Sequence, residues 1–297
     1  MLDVAIALLP AVVAATYFFG PWALAIIASC IAGAFLAEAG VSWARGREIP
    51  LYDGSALVTG LLLGLTLPSD VPLWIGLIGG AFAIGIGKAI FGGLGLNMFN
   101  PALVGRAFLV ASFPVLMTTF RWPHDSGAWM GSGFDAVSTA TPLALLRWSD
   151  VATPYFELFI GRIGGSLGET SALALLLGGL YLLGRGVINW RIPVSYIGTV
   201  MLLTWATGGD PLFHFLAGGL LIGAFFMATD YVTSPITPRG KLIFGFGCGF
   251  LTYAIRGFGG YPEGVLYSIL LMNATVPLIE RFTLPRVFGV GVKTDAN

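Results

Sequence analysis

Long uncharged stretches alternate along the chain with short clusters of Gly, Pro, Asp and Arg, and this pattern divides it into ten apolar runs. A helix that crosses a bilayer needs about 20 mostly apolar residues, so the runs read as membrane spans. The first five are Leu2 to Phe19, Trp22 to Trp43, Ser55 to Leu67, Pro72 to Phe91 and Pro101 to Met117. The second five are Glu169 to Gly184, Pro193 to Ala206, Leu212 to Ala228, Lys241 to Ile255 and Pro262 to Ile279. Several are short for a full crossing, and irregular stretches at Pro68 to Val71 and Tyr231 to Arg239 follow two of them, which predicts broken helices. The first run opens on Asp3 rather than a basic region and leads straight into a second apolar run, so it reads as a retained span and not a cleaved signal.

Composition agrees with the pattern. Of 297 residues, 56% are hydrophobic and 10% charged, against roughly 25% charged in a soluble domain. Fifteen basic residues balance fifteen acidic ones with no basic block, which excludes nucleic acid as a partner. Cys30 and Cys248 lie far apart in apolar runs, and His124 and His214 have no second ligand at metal spacing, so no metal site is expected. No nucleophile, histidine and acid come together in the pattern, and no catalytic residue is assigned. The 43 glycines read as helix-packing positions, and Gly85-Ile86-Gly87-Lys88 lacks the Ser or Thr that a phosphate-binding loop requires.

With the N-terminus placed in the cytoplasm, eleven of the fifteen Lys and Arg residues fall inside, and only Arg121, Arg147, Arg162 and Arg256 fall outside. Both termini are then cytoplasmic and the segment Thr118 to Gly168 faces outward. The two halves also resemble each other. Gly60-Leu61-Leu62-Leu63-Gly64, Asp70, Phe91-Gly92-Gly93 and Pro101 are matched by Gly219-Leu220-Leu221-Ile222-Gly223, Asp230, Phe258-Gly259-Gly260 and Pro262. Five spans separate equivalent points, so the repeats would run in opposite directions through the membrane, as in many transporters. The expected fold is an all-α membrane protein of about ten transmembrane helices in two inverted five-helix repeats with broken helices. Its parts would be a first repeat over residues 1–117, an outer loop over 118–168, a second repeat over 169–282 and a cytoplasmic tail over 283–297.

Charges inside spans are costly, and Glu38, Lys88, Arg106 and Asp230 each fall at or near the inner end of one. For Lys88 and Arg106 the choice lies between snorkelling to the interface and a functional contact. In the outer loop, Asp135-Ala136-Val137-Ser138-Thr139-Ala140-Thr141-Pro142 precedes a short amphipathic run. Proline at a first helical position makes Thr141 the N-cap, presenting a hydroxyl where unpaired N–H groups favour a phosphate. Spacing alone fits a plain cap equally well.

This segment resembles the flavin-attachment motif Asp-x-x-Ser/Thr-Gly-Ala-Thr of the membrane subunits shared by the Rnf complex and the sodium-translocating NADH:quinone reductase. Gly92-Gly93-Leu94-Gly95-Leu96-Asn97-Met98-Phe99-Asn100-Pro101-Ala102-Leu103-Val104-Gly105-Arg106-Ala107-Phe108, Met227-Ala228-Thr229-Asp230 with Ser234-Pro235, and Arg256-Gly257-Phe258-Gly259-Gly260-Tyr261-Pro262-Glu263-Gly264 are similar to further family signatures. The resemblance implies FMN esterified through its phosphate to Thr141 by a flavin transferase, with Asp135 and Ser138 in the attachment motif. Thr139 departs from the motif, standing where glycine is usual. The resemblance further implies electron transfer between ferredoxin and NAD coupled to sodium or proton movement, in the bacterial inner membrane. Other Rnf-type subunits would be partners, among them a second flavin-bearing subunit and iron–sulfur subunits, and a further noncovalent riboflavin is implied. The chain opens directly onto its first run, which favours the Rnf type over the quinone-reductase type. A transporter or channel without a redox group is the alternative of another class. Trp122, Trp129, Trp148 and Phe134 are candidates to pack on the flavin ring, or else interfacial aromatic residues.

Overall fold

The structure is a computed structural model and describes residues 1–46, 53–123, 138–259 and 264–284. Helices form over each of the ten apolar runs. In the first half these are α1 (Leu2–Phe19), α2 (Pro21–Ala44), α3 (Ser55–Leu65), α4 (Leu73–Ile84, continued by a π turn over Gly85–Ala89) and α5 (Pro101–Ser112). A short α6 (Pro114–Thr118) follows. The fifth run reads in sequence as one element to Met117, but it breaks at Phe113. Pro114 supplies no N–H and disfavours a helical conformation in the residue before it, so a new helix has to start there.

The segment between the two halves contains β1 (Phe120–Arg121) paired antiparallel with β2 (Ser138–Thr139), then α7 (Pro142–Ser149) and α8 (Tyr155–Ile160). The second half consists of α9 (Ala172–Gly184), α10 (Arg191–Ala206), α11 (Pro211–Leu216), α12 (Leu220–Ile222, continued by a π turn over Gly223–Met227), α13 (Pro238–Phe258) and α14 (Val265–Thr283). Helix starts follow local chemistry. Asn100 accepts from the N–H groups of Ala102 and Leu103 ahead of α5, and Thr237 caps α13 through Gly240, each followed by proline at the first helical position.

Helices α1, α2 and α14 are long and apolar enough to cross a membrane, while α3, the run Leu73–Ala89, α5 and α9 are shorter apolar helices. The chain is a helical membrane protein. Helix α2 packs on α3 and α4, α4 on α5, α10 on α11 and α13, and α13 on α14. Across the two halves, α1 meets α9 and α5 meets α14. Small residues permit the closest approaches: a side chain on Gly80 would collide with the Cys30 carbonyl of α2, and one on Gly245 with Ser195 of α10.

The interrupted helices leave backbone groups that lipid cannot satisfy, so protein must bury them and supply partners. At the end of α3, the Leu65 and Leu67 carbonyls accept from the N–H groups of Gly168 (2.6 Å) and Leu167 (2.9 Å). Around α11 and α12, the His214 and Ala217 carbonyls accept from the Arg256 guanidinium at 2.9 and 3.2 Å. Beyond the π turn, the Met227 carbonyl accepts from the Asn100 amide at 3.2 Å. Each broken segment is therefore completed by an element remote in sequence.

Candidate functional site

Thr141 stands where β2 gives way to α7. Its backbone is extended (φ −65°, ψ 154°), Pro142 opens the helix, and its hydroxyl accepts from the Ala144 N–H at 3.4 Å. Thr141 is thus an N-cap, as its spacing predicts, and it is buried. The strand pair holds it in place. Phe120 faces Thr139 and Arg121 faces Ser138, and the Arg121 guanidinium forms an ion pair with Asp70 in the turn after α3. Thr139, the departure from the family motif, packs against Gly164, where a Cβ would overlap the threonine methyl group. The extra side chain is accommodated because position 164 carries none.

Thr141 borders a cavity of about 400 Å³, within the usual range of small-molecule sites. Leu103 and Val110 from α5, Ile222 and Met227 from the α12 segment, and Leu266 from α14 form much of its apolar wall. Exposed Thr118 and Trp148 border it as well. Besides Thr141, its buried polar residues are Thr66, Arg106 and Glu169, with Arg106 Nη1 3.0 Å from Glu169 Oε1. Glu169 also lies against the backbone of Gly219, at the break between α11 and α12, where a side chain would strike the carboxylate. One ion pair therefore touches α5, the entry to α9 and the second broken helix.

Snorkelling is overturned for both Lys88 and Arg106. Arg106 is buried in this ion pair, and Lys88 is buried at the start of α3, where its ammonium forms ion pairs with Glu38 and, at 3.5 Å, with Asp53 and hydrogen-bonds Ser55. Both side chains are turned inward because buried carboxylates await them, and an uncompensated buried charge of either sign would be far more costly. Asp230 accepts from the Val232 N–H and the Thr233 hydroxyl and borders a smaller cavity with Lys88, Asn97 and Asn100. Helix α3 and the π turn after α12 separate the two cavities: Thr66, Ile222 and Met227 face the first, while Thr59, Leu62 and Phe226 face the second.

Of the other predicted residues, Asp135 lies outside the described residues, as do Trp129 and Phe134, and Ser138 is the first residue of β2. Trp148 borders the Thr141 cavity, whereas Trp122 borders a separate pocket with Asp70 and Arg121. In the sequence Glu169 reads only as the start of an apolar run. Its partner Arg106 is 63 residues away, so no local spacing joins them.

The cavity that joins a capped threonine to a buried Arg–Glu pair uses Thr141 and Arg106, two residues from separate motifs of the chain. The NQR2, RnfD, RnfE family matches residues 1–289. The chain is 50% identical over 302 residues to the D subunit of the Na(+)-translocating ferredoxin:NAD(+) oxidoreductase complex of Acetobacterium woodii, covering 100% of this chain and 92% of the relative. It is 50% identical over 306 residues to the D subunit of the proton-translocating ferredoxin:NAD(+) oxidoreductase complex of Clostridium ljungdahlii, covering 97% and 91%. It is 44% identical over 322 residues to the D subunit of the ion-translocating oxidoreductase complex of Stutzerimonas stutzeri, again covering 97% and 91%. On the length of the match and the level of identity, the chain belongs to the NQR2, RnfD, RnfE family.

Proposed function

We propose that the chain is the D-type membrane subunit of an ion-translocating ferredoxin:NAD oxidoreductase, and that Thr141 carries FMN through a phosphoester. The observation that carries the flavin reading is the Thr141 hydroxyl at the N-terminus of α7, bordering a largely apolar cavity. The residues fit such a group. The start of α7 offers a partial positive charge to a phosphate, and the walls from α5, α12 and α14 offer an apolar bed to an aromatic ring. Bound there, a flavin supplies a ring that exchanges one or two electrons with neighbouring carriers. The protein's part is to tether it at Thr141, to keep water from it with Leu103, Ile222, Met227 and Leu266, and to fix its distance from carriers in other subunits.

The same reading places the chain in the bacterial inner membrane with both termini cytoplasmic and the Thr141 cavity toward the outer face. Ten spans in two inverted repeats are supported by parallel packing: α2 on α4 matches α10 on α13, and α4 on α5 matches α13 on α14. The broken helices border both cavities and would form the path along which ion movement is coupled to electron transfer.

The test is direct. The denatured chain should fluoresce in a gel under ultraviolet light, with the adduct mapped to Thr141 by peptide mass spectrometry, and Thr141→Ala should insert normally without fluorescence. An adduct on Ser138 or Thr139 would move the site and keep the flavoprotein. A native chain with no adduct would favour a transporter without a redox group.

A further inference from the structure

The cavity that Thr141 borders has a polar end that tethering does not require. Arg106 and Glu169 are both buried there, on different elements, with donor and acceptor 3.0 Å apart and both side chains lining the cavity. A tether and an apolar bed would hold a ring without them, and burying a charged pair costs desolvation that good hydrophobic packing would avoid. A flavin ring has one edge at which an N–H donor, N3, lies between the C2 and C4 carbonyls, with the N1 acceptor on the other side of C2. Inside a protein that edge needs both an acceptor and a donor. The carboxylate of Glu169 and the guanidinium of Arg106 offer both, side by side. Leu103, Ile222, Met227 and Leu266 offer nothing polar from their side chains.

We propose that Arg106 and Glu169 form the electrostatic seat of the ring carried on Thr141, and that this pair sets the flavin's reduction potential. The proposal rests on the flavin reading above. Two-electron reduction with uptake of one proton at N5 leaves one negative charge over N1 and the C2 carbonyl. In the complex an iron–sulfur or flavin carrier supplies the electrons. In a low-dielectric cavity that charge is favoured by Arg106 and opposed by Glu169. The two residues therefore act on the potential in opposite directions. Their contact also gives the charge a route to the ion path: Glu169 lies against Gly219, and the N–H of its neighbour Gly168 holds the Leu65 carbonyl at the end of α3.

The test uses the full chain, matured with its flavin transferase, purified in detergent and titrated with dithionite and redox dyes while flavin absorbance is followed. Glu169→Gln removes the negative charge at nearly constant volume. It should favour the reduced form by tenfold to a hundredfold, a rise of about 30–60 mV at ~30 mV per tenfold for a two-electron couple. Arg106→Met should lower the potential by a similar amount, and Arg106→Lys should restore most of the loss. If Arg106→Met fails to fold, the rise in Glu169→Gln and the near-native value of Arg106→Lys still decide. Covalent fluorescence should persist in every variant that folds. If Glu169→Gln keeps its flavin but stays within threefold of the native preference, or shifts in the same direction as Arg106→Met, the seat is elsewhere while attachment at Thr141 stands. If the native chain carries no flavin at Thr141, both ideas fall.

Discussion

Glu169 stands one residue after Gly168, whose N–H completes the broken end of α3, and its carboxylate reaches Arg106 at 3.0 Å on α5. Both partners are buried, so the pair is a joint between the two halves of the chain and not a surface ornament. Removing one member strands the other in a low-dielectric site. Arg106→Ala should destabilise the detergent-solubilised protein by about 3–5 kcal/mol. Replacing both by methionine should recover part of that loss, because the Glu169 carboxylate is then no longer stranded without its cation. Thermal unfolding of the single and double variants gives the comparison, and a double variant no better than Arg106→Ala would show that the pair is not the source of the loss.

Lys88 makes a joint within the first half, at the start of α3. Its ammonium meets Glu38 from α2, Asp53 and Ser55, so three elements depend on one cation. Lys88→Met should cost about 3–5 kcal/mol by the same reasoning. Adding Glu38→Gln should relieve part of this. A cation that snorkelled to the interface would give less than about 1 kcal/mol in the same melt.

Thr139 and Gly164 should behave as a coupled pair. Gly164→Ala alone drives a methyl group into the Thr139 side chain, and overpacking of this kind costs about 1–3 kcal/mol. In a Thr139→Gly background the obstacle is gone, so the alanine should cost much less. A coupling of about 0.5 kcal/mol or more in the double-mutant cycle is the expected outcome. Purely additive effects would mean that the contact does not constrain the loop.

Much of this architecture is legible in the sequence because the physics involved is local. Uncharged length marks the apolar helices, Asn100-Pro101 and Thr141-Pro142 mark helix starts, and the irregular stretches at Pro68 to Val71 and Tyr231 to Arg239 mark interruptions. The break at Phe113 is equally local, announced by Pro114, and is hidden only by the apolar character on both sides. What the sequence withholds is long-range pairing. Arg106 and Lys88 look like snorkelling cations until the fold brings Glu169 and Glu38 to them, 63 and 50 residues away. Thr139 looks like a simple departure from a motif until Gly164 is placed beneath it.

The proposed outer placement of α7 is open to labelling. Cys30 and Cys248 are both buried, so background reaction with an impermeant thiol reagent should be low. Ser149→Cys, at the exposed end of α7, should react in intact cells, whereas Arg45→Cys, exposed after α2, should react only once the membrane is opened. The reverse pattern would invert the topology and place the Thr141 cavity on the inner side.

Capping and attachment at Thr141 are separable by one substitution. The hydroxyl accepts from the Ala144 N–H, and an aspartate carboxylate does the same job at least as well at a helix N-terminus. Thr141→Asp should therefore keep α7 intact, while Thr141→Ala loses the cap at a cost of about 0.5–2 kcal/mol. Neither side chain has a hydroxyl on which a phosphoester can form, so both should lack in-gel fluorescence. Thr141→Ser, with the hydroxyl retained, should cap the helix and remain a substrate for attachment. The two measurements then sort the four proteins differently: melting groups native, Asp and Ser against Ala, and fluorescence groups native and Ser against Asp and Ala. Fluorescence in Thr141→Asp would show that the flavin is bonded elsewhere, and an unstable Thr141→Asp chain would show that position 141 does more for the fold than cap α7.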